Sequence, residues 1–408
     1  MKKFLALVLA LCMVFSLCAC GSSSSSSSNV KAAIIALHDE NSTYDANFIN
    51  AFKEACEAKG VQYTIKTGVG EDQSCYDTAA DLADDGYNVI FSDSYGHQSF
   101  MLDAAKEFPK VQFISATGDM ATAVHVANYH NAFADIYQGR YLVGVAAGLK
   151  LQEMLDNGVI TEDQLQIGYV GAYTYAEVVS GLTSFYLGVK SIVPAVTMKV
   201  TFTGSWYDEA LEKEAANNLI SQGCVLISQH ADSYGAPSAC EAAGVPNISY
   251  NIDTSAAGPN TYIASSRINW VPYFNYMLDC MLNGTAIDED WCGTLETGSV
   301  EIISISDKNA AAGTAEKLEA VKKSLLDGSL KVFDTSKFTV STITEDVNAT
   351  AVVDANGTLT SYTANAVGGD FAPDTEAVAN GEFTESVFRS APYFDLVIDG
   401  ITFLDTKF

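Results

Sequence analysis

Asp-Ser-Tyr-Gly occurs twice in this chain, as Asp93-Ser94-Tyr95-Gly96 and as Asp232-Ser233-Tyr234-Gly235. Each copy lies between an apolar run and a helix-forming stretch. The first follows Gly86 and the run 87–91 and precedes Pro109 and the run 111–114; the second follows Gly223 and 224–227 and precedes Pro246 and 247–250. The glycines are 137 positions apart, the quartets 139 and the prolines 137. So constant a spacing predicts two lobes with one ground plan. Residues 30–37 read as a strand buried on both faces. Over 45–59, Phe48, Ala51, Phe52, Ala55 and Cys56 fall on one helical stripe that stops at Gly60. Strand and helix alternate onward, which predicts an α/β chain with parallel sheets. Each quartet then lies at the carboxyl end of a strand, before a helix N-terminus, where open parallel sheets bind ligands. Asp and Ser are also strong helix caps, and capping accounts for the same residues.

The chain has 408 residues, enough for two such lobes, with 50 acidic residues against 22 basic and a net charge of −28. That balance excludes nucleic-acid binding through phosphates, which needs a basic face. No window after residue 20 has the unbroken apolar length of a membrane helix. The first residues read as an address. Lys2 and Lys3 precede an apolar run over 4–15, and Leu17-Cys18-Ala19-Cys20 reads as a lipobox, so 1–19 is expected to be a signal peptide and Cys20 the lipidated first residue. Seven serines, 22–28, make 20–29 a flexible tether. The membrane is expected to be reached through the lipid anchor only, on the extracytoplasmic side. Six cysteines remain beyond the tether (Cys56, Cys75, Cys224, Cys240, Cys280 and Cys292), and their spacing leaves every pairing open.

Motifs of catalysis are missing from the sequence: no Gly-x-Ser-x-Gly elbow, Walker loop or dinucleotide fingerprint, and no His-x-x-x-His or Cys-x-x-Cys. No catalytic residue, metal or cofactor is therefore assigned. Aromatic residues give the stronger signal. Tyr44, Tyr95, Tyr173, Tyr175, Trp206 and Tyr234 all fall just after expected strands, offering flat faces to a ring. Asp39, Ser94, Glu177, Asp232, Asn251 and Asp253 stand nearby as hydrogen-bonding partners. A mostly apolar cleft with a few polar fixers suits a small molecule.

Several segments resemble the basic membrane protein family of ABC-transporter substrate-binding lipoproteins: Tyr137-Gln138-Gly139-Arg140-Tyr141 through Gly148, Ile167-Gly168-Tyr169-Val170-Gly171, Ser205-Trp206-Tyr207-Asp208, Ser228-Gln229-His230-Ala231-Asp232-Ser233, and Asn269-Trp270 with Pro272-Tyr273. The resemblance covers about 30–335. It implies a type I periplasmic-binding-protein fold, two lobes joined by three crossovers and closing by a hinge, with lobe 1 at 30–130 plus 265–300 and lobe 2 at 131–264 plus 301–340. It implies a purine nucleoside or base as ligand, an ABC permease as partner, and a monomer. Contact positions would be Asp39, Tyr44, Ser94, Tyr95, Tyr175, Trp206, Asp232 and Asp253. Where the nucleoside-binding pattern has a lysine, this chain reads Ser265-Ser266-Arg267-Ile268-Asn269, which favours a free base. A sugar or other small polar solute is the rival ligand, and an exported nucleoside hydrolase using His38 and Asp39 the rival activity; a sensor presenting ligand to a receptor would bind alike. Residues 341–408 fall beyond the resemblance, with a hairpin expected at Asn356-Gly357, and are expected to pack on lobe 2.

Overall fold

The computed structural model describes residues 30–367 and 372–405. The expected signal peptide, Cys20 and the serine tether lie outside the described residues.

Two open sheets carry the molecule. In the first, β1 (Lys31–Ile35), β2 (Gln62–Lys66), β3 (Val89–Ser92), β4 (Gln112–Ala116) and β5 (Tyr129–Ala134) alternate with α1 (Thr43–Lys59), α2 (Gln73–Asp84), α3 (Gln98–Glu107) and the short α4 (Ala121–Val124). The chain then crosses at Asp135 into α5 (Ile136–Asp156) and the second sheet. There β6 (Gln166–Gly171), β7 (Thr197–Phe202), β8 (Ile227–His230), β9 (Asn247–Tyr250) and β10 (Tyr262–Ile268) alternate with α6 (Ala176–Lys190), α7 (Glu209–Ser221) and α8 (Gly235–Ala243). It recrosses at Asn269 to α9 (Val271–Asn283) and β11 (Asp290–Gly293) on the first sheet. A third crossing over 294–299 leads to β12 (Val300–Ile305) and α10 (Thr314–Leu326) on the second. Three crossings connect the lobes, a few residues from the breaks expected after 130, 264 and 300.

The strand orders are β11-β5-β4-β3-β1-β2 and β12-β10-β9-β8-β6-β7. Strands β1–β5 and β6–β10 thus occupy matching stations, which is the physical content of the repeat. All pairs in the first sheet are parallel, and in the second only β10–β12 is antiparallel. Gly86 and Gly223 hold equal posts too. Each ends a helix in the left-handed region, at φ 81° and 90°, before β3 and β8 respectively, where a side chain would be strained.

Helix α1 forms where its stripe predicted. Ser42 caps it through the Asp45 amide, Gly60 ends it at φ 64°, and Phe48, Phe52, Ala55 and Cys56 are buried. Phe48 stacks on Trp270 at 4.3 Å and Phe52 meets Phe274 edge-on at 5.2 Å, fastening α1 to α9. Phe48→Ala would cost about 3–5 kcal/mol. The six cysteines of the described chain are free thiols, five of them buried. Burial pushes the Cys56 thiol up to about 12.

The tail begins with the hairpin β13 (Ala351–Val353) and β14 (Leu359–Ala364), turning at Asn356-Gly357, with the Asp354 carboxylate accepting from the amides of Asn356 and Thr358. After β15 (Thr375–Glu376), β16 (Val378–Ala379) and β17 (Glu382–Phe383), β18 (Ile401–Phe403) adds in parallel to β7 at the edge of the second sheet. Between β17 and β18 the chain touches both lobes. Glu385 accepts from Ser180 Oγ of α6 at 2.5 Å, while Ser390 donates from its amide and hydroxyl to Asp290 of β11 at 2.6 and 2.5 Å. The tail reaches well beyond lobe 2.

Candidate ligand-binding cleft

A cavity of about 420 Å³ opens between the carboxyl ends of the two sheets. Lobe 1 contributes His38 after β1, Tyr44 and Asp45 on α1, Ser94 and Tyr95 after β3, and Thr117 and Asp119 after β4. Lobe 2 contributes Tyr175 and Glu177 at the start of α6, Trp206 after β7, and His230 and Asp232 after β8. The order reverses around β1 in one sheet and around β6 in the other, so both lobes aim a topological switch point at the same space.

The walls are aromatic. Tyr175 stacks with Tyr173 at 5.3 Å and 17°, and both lie against Trp206, at 5.9 and 4.9 Å. Tyr95 comes across from lobe 1 to 5.5 Å from Tyr175. Tyr44 is held upright by its hydroxyl, which donates to the Asp93 carbonyl at 2.8 Å. The lobes also touch through the backbone, Thr43 N–H donating to the Asp232 carbonyl at 2.8 Å.

The polar groups are mainly carboxylates. Burial pushes Asp45 up, but hydrogen bonds from His38 and Ser42 outweigh it and hold the group below its usual range. Asp232 goes the other way: burial, then the charges of Glu212, Asp45 and Glu177, lift it well above the usual value. Asn251 donates to its Oδ1 at 3.3 Å. Asn251 and Thr117 each directly follow a strand at a matching station, β9 and β4, and both adopt left-handed φ, 68° and 55°. Such backbone strain in non-glycine residues collects at functional sites.

Arg140 of the sequence motif is fully buried and props the wall from behind. Its Nη2 donates to Tyr169 Oη at 2.6 Å and to the Gln229 carbonyl at 3.1 Å, and its plane lies 4.7 Å from the Tyr250 ring. Tyr169 Oη is 3.5 Å from His230 Nδ1, and His230 Nε2 is 2.8 Å from Glu177 Oε1. The relay orients a carboxylate at the cavity wall.

Of the residues singled out from sequence, Tyr44, Ser94, Tyr95, Tyr175, Glu177, Trp206 and Asp232 line the cavity, and Asn251 backs Asp232. Asp39 does not. It is exposed and accepts from Asn41, away from His38, so these two form no pair. Asp253 is also exposed and accepts from Ser255 and Ser304. Tyr234 stands outside as well. Sequence reasoning missed Asp45, Thr117 and Asp119, and it missed the tail entirely: Arg389, Ala391, Pro392, Tyr393 and Asp395 close the cavity. One signal was available, since the chain has only three arginines (Arg140, Arg267 and Arg389) and the last stands in a stretch of small and apolar residues. Among the described residues no group of three or more His, Cys, Asp or Glu is placed to hold a metal, and no helix is long and apolar enough to cross a membrane.

Residues 32–331 match the family described as ABC transporter substrate-binding protein PnrA-like, Bmp. The chain belongs to the Bmp family of ABC-transporter substrate-binding proteins. A purine-binding protein of Brucella abortus is 31% identical over 296 residues, 71% of this chain and 80% of its own. TsgA13 of Haloferax volcanii, named for glucose binding in an ABC transporter, is 31% identical over 251 residues, and this chain spans 60% of its length. A solute-binding protein of an Aeropyrum pernix ABC transporter shares the fold at a TM-score of 0.64 and 15% identity, over 78% of this chain and 95% of that one. The architecture is the type I periplasmic-binding-protein fold. The Bmp match ends at residue 331, so the tail that closes the cavity lies beyond it.

Proposed function

We propose that the protein is an exported monomeric lipoprotein, anchored at Cys20, that captures a purine base or nucleoside between its closing lobes and hands it to an ABC permease. The observation that carries this reading is the ring-lined cavity itself: Tyr95 of one lobe meets Tyr175 of the other at 5.5 Å, and with Trp206 they line a cavity of small-molecule size. Stacking on flat faces contributes roughly 0.5–1.5 kcal/mol per aromatic pair. The carboxylates Asp45, Asp119, Glu177 and Asp232 accept from the N–H and O–H groups of such a ligand. Asp45, held in its ionised form, also repels phosphate, which favours a base or nucleoside over a nucleotide. The Brucella relative is named for purine binding and supports the class. A free base fits best. Arg267, near the position where nucleoside binders have a lysine, is committed to Glu301 at 2.5 Å and does not line the cavity.

The name of TsgA13 makes a sugar the reading to exclude. The chain from Asn29 onward, stripped of carried-over ligand by unfolding and refolding, would be melted with adenine, hypoxanthine, adenosine, inosine, uridine, ribose, glucose and galactose. A ligand at a hundred times its Kd adds about 2.7 kcal/mol, a rise of a few degrees. Purines alone should raise the melting temperature. A rise with sugars alone overturns the purine reading.

A further inference from the structure

The tail does more than cover the cleft; it brings a guanidinium into a cavity that five acidic residues help to line. Arg389 and Asp119 both line the cavity and are 7% and 6% exposed. Their charges face each other, Nη1 to Oδ2, at 3.6 Å, beyond hydrogen-bonding distance. Arg389 Nη1 and Asp119 Oδ1 are buried atoms without a hydrogen-bond partner among the described residues. The two charges pair with each other, yet a buried donor on one and a buried acceptor on the other stay without a hydrogen bond, which is costly, so the site is arranged for something that meets them.

Every other polar group of Arg389 serves to hold it still. Nε donates to the Ala391 carbonyl and Nη2 to the Pro392 carbonyl, both at 3.1 Å, and the guanidinium lies 5.8 Å from the Tyr393 ring. The next residue, Ser390, is tied to Asp290 of lobe 1. Asp119 is held likewise, its amide donating to Gln98 Oε1 at 3.0 Å and its Oδ2 accepting from Tyr95 Oη at 3.2 Å. What remains is one fixed donor beside one fixed acceptor, next to the aromatic wall.

We propose that Arg389 is a specificity-determining residue of the cleft: Nη1 donates to a carbonyl oxygen on the ligand ring while Asp119 accepts from the adjoining ring N–H, so that a 6-oxopurine is preferred to a 6-aminopurine. This rests on the purine reading above. Hypoxanthine and guanine carry C6=O beside N1–H, the edge that complements the pair, and a guanidinium on a purine carbonyl is a strong, directional contact. In the same orientation adenine offers an amino group in place of the carbonyl, where the guanidinium needs an acceptor, and an unprotonated N1 where Asp119 needs a donor. Since Arg389 belongs to the segment beyond the Bmp match, the preference is a property of this chain's tail.

The test is calorimetric titration of the ligand-stripped chain with hypoxanthine against adenine, and inosine against adenosine. The oxo member of each pair should bind about 10- to 100-fold more tightly, the range of a good directional pair. In Arg389→Gln the oxo ligands should weaken while the amino ligands change little, so the ratio falls toward one; Arg389→Lys, which keeps a donor, should fall between. Should either variant fail to fold, the wild-type ratio still decides. Equal or tighter binding of the amino purines by the wild type overturns the proposal and leaves the purine reading standing, as does an equal loss for both ligands in Arg389→Gln. Binding of no purine overturns both.

Discussion

The two Asp-Ser-Tyr-Gly quartets are identical in sequence and differ in use. In the first, Ser94 and Tyr95 line the cavity and Asp93 is buried behind, accepting from the Leu37 amide at 3.1 Å. In the second, Asp232 lines it, while Ser233 turns to the Gly235 amide and Tyr234 is not among the lining residues. The cause is register. Strand β3 ends at Ser92, immediately before its quartet, whereas β8 ends at His230 and leaves Ala231 before the second. Counted from the strand ends, Ser94 and Asp232 are the equivalent residues, and both reach the ligand space. A one-residue slip beyond a strand changes which side chain enters a cleft even when four letters match. The supports differ as well. An exposed Glu71 accepts from Ser94 Oγ and the Gly96 amide, whereas a fully buried Glu212 accepts from the Ser233 and Asp208 amides.

The largest effect that would break this comparison concerns the buried one of those two glutamates. Burial lifts Glu212 from 4.5 to about 7. A raised carboxyl stabilises the fold fully below its unfolded value and loses that contribution as pH rises through the folded one. At about 1.4 kcal/mol per pH unit, the loss between pH 4.5 and 7 is on the order of 3 kcal/mol. Glu212→Gln should remove that slope from urea midpoints measured across the window, whatever its offset. A wild-type slope retained in Glu212→Gln would show that the buried glutamate does not titrate there.

Next come the residues at the cavity. Trp206→Ala should weaken purine binding by about 1–3 kcal/mol in calorimetry without altering the circular dichroism of the fold. Asp232→Ala should cost about 1–3 kcal/mol of affinity, against about 0.5–1 kcal/mol for Ser94→Ala, whose hydroxyl is already committed to Glu71. A larger loss at Ser94 would reverse the assignment. At the small end, Tyr95→Ala should cost about 0.5–1.5 kcal/mol of binding and Tyr234→Ala less than about 0.5 kcal/mol. Equal losses at the two tyrosines would contradict the register argument.

What sequence could show follows from the same geometry. Buried strands and the α1 stripe are written in local periodicity, and the doubled spacing foretold two lobes with matching strand orders. The cleft side of each sheet was also legible, since Tyr44, Tyr95, Tyr175 and Trp206 sit where strand ends must aim them. Side-chain direction just past a strand was not, because it depends on where the last ladder bond falls; hence Asp39 and Asp253 were expected inside and lie outside. The tail was hidden for another reason. Arg389 meets Asp119 across 270 positions of chain, and no local pattern encodes so distant a contact.

The central claim is that one ligand ring is held at once by both lobes and the tail, and a crystal structure of the ligand-stripped chain soaked with hypoxanthine tests it most directly. The ring should stack beside Tyr175 and Trp206 with Tyr95 opposite, its oxygen within hydrogen-bonding distance of Arg389 and its N–H facing Asp119. A ring bound elsewhere, or in the cleft without contact to 385–395, would contradict the account.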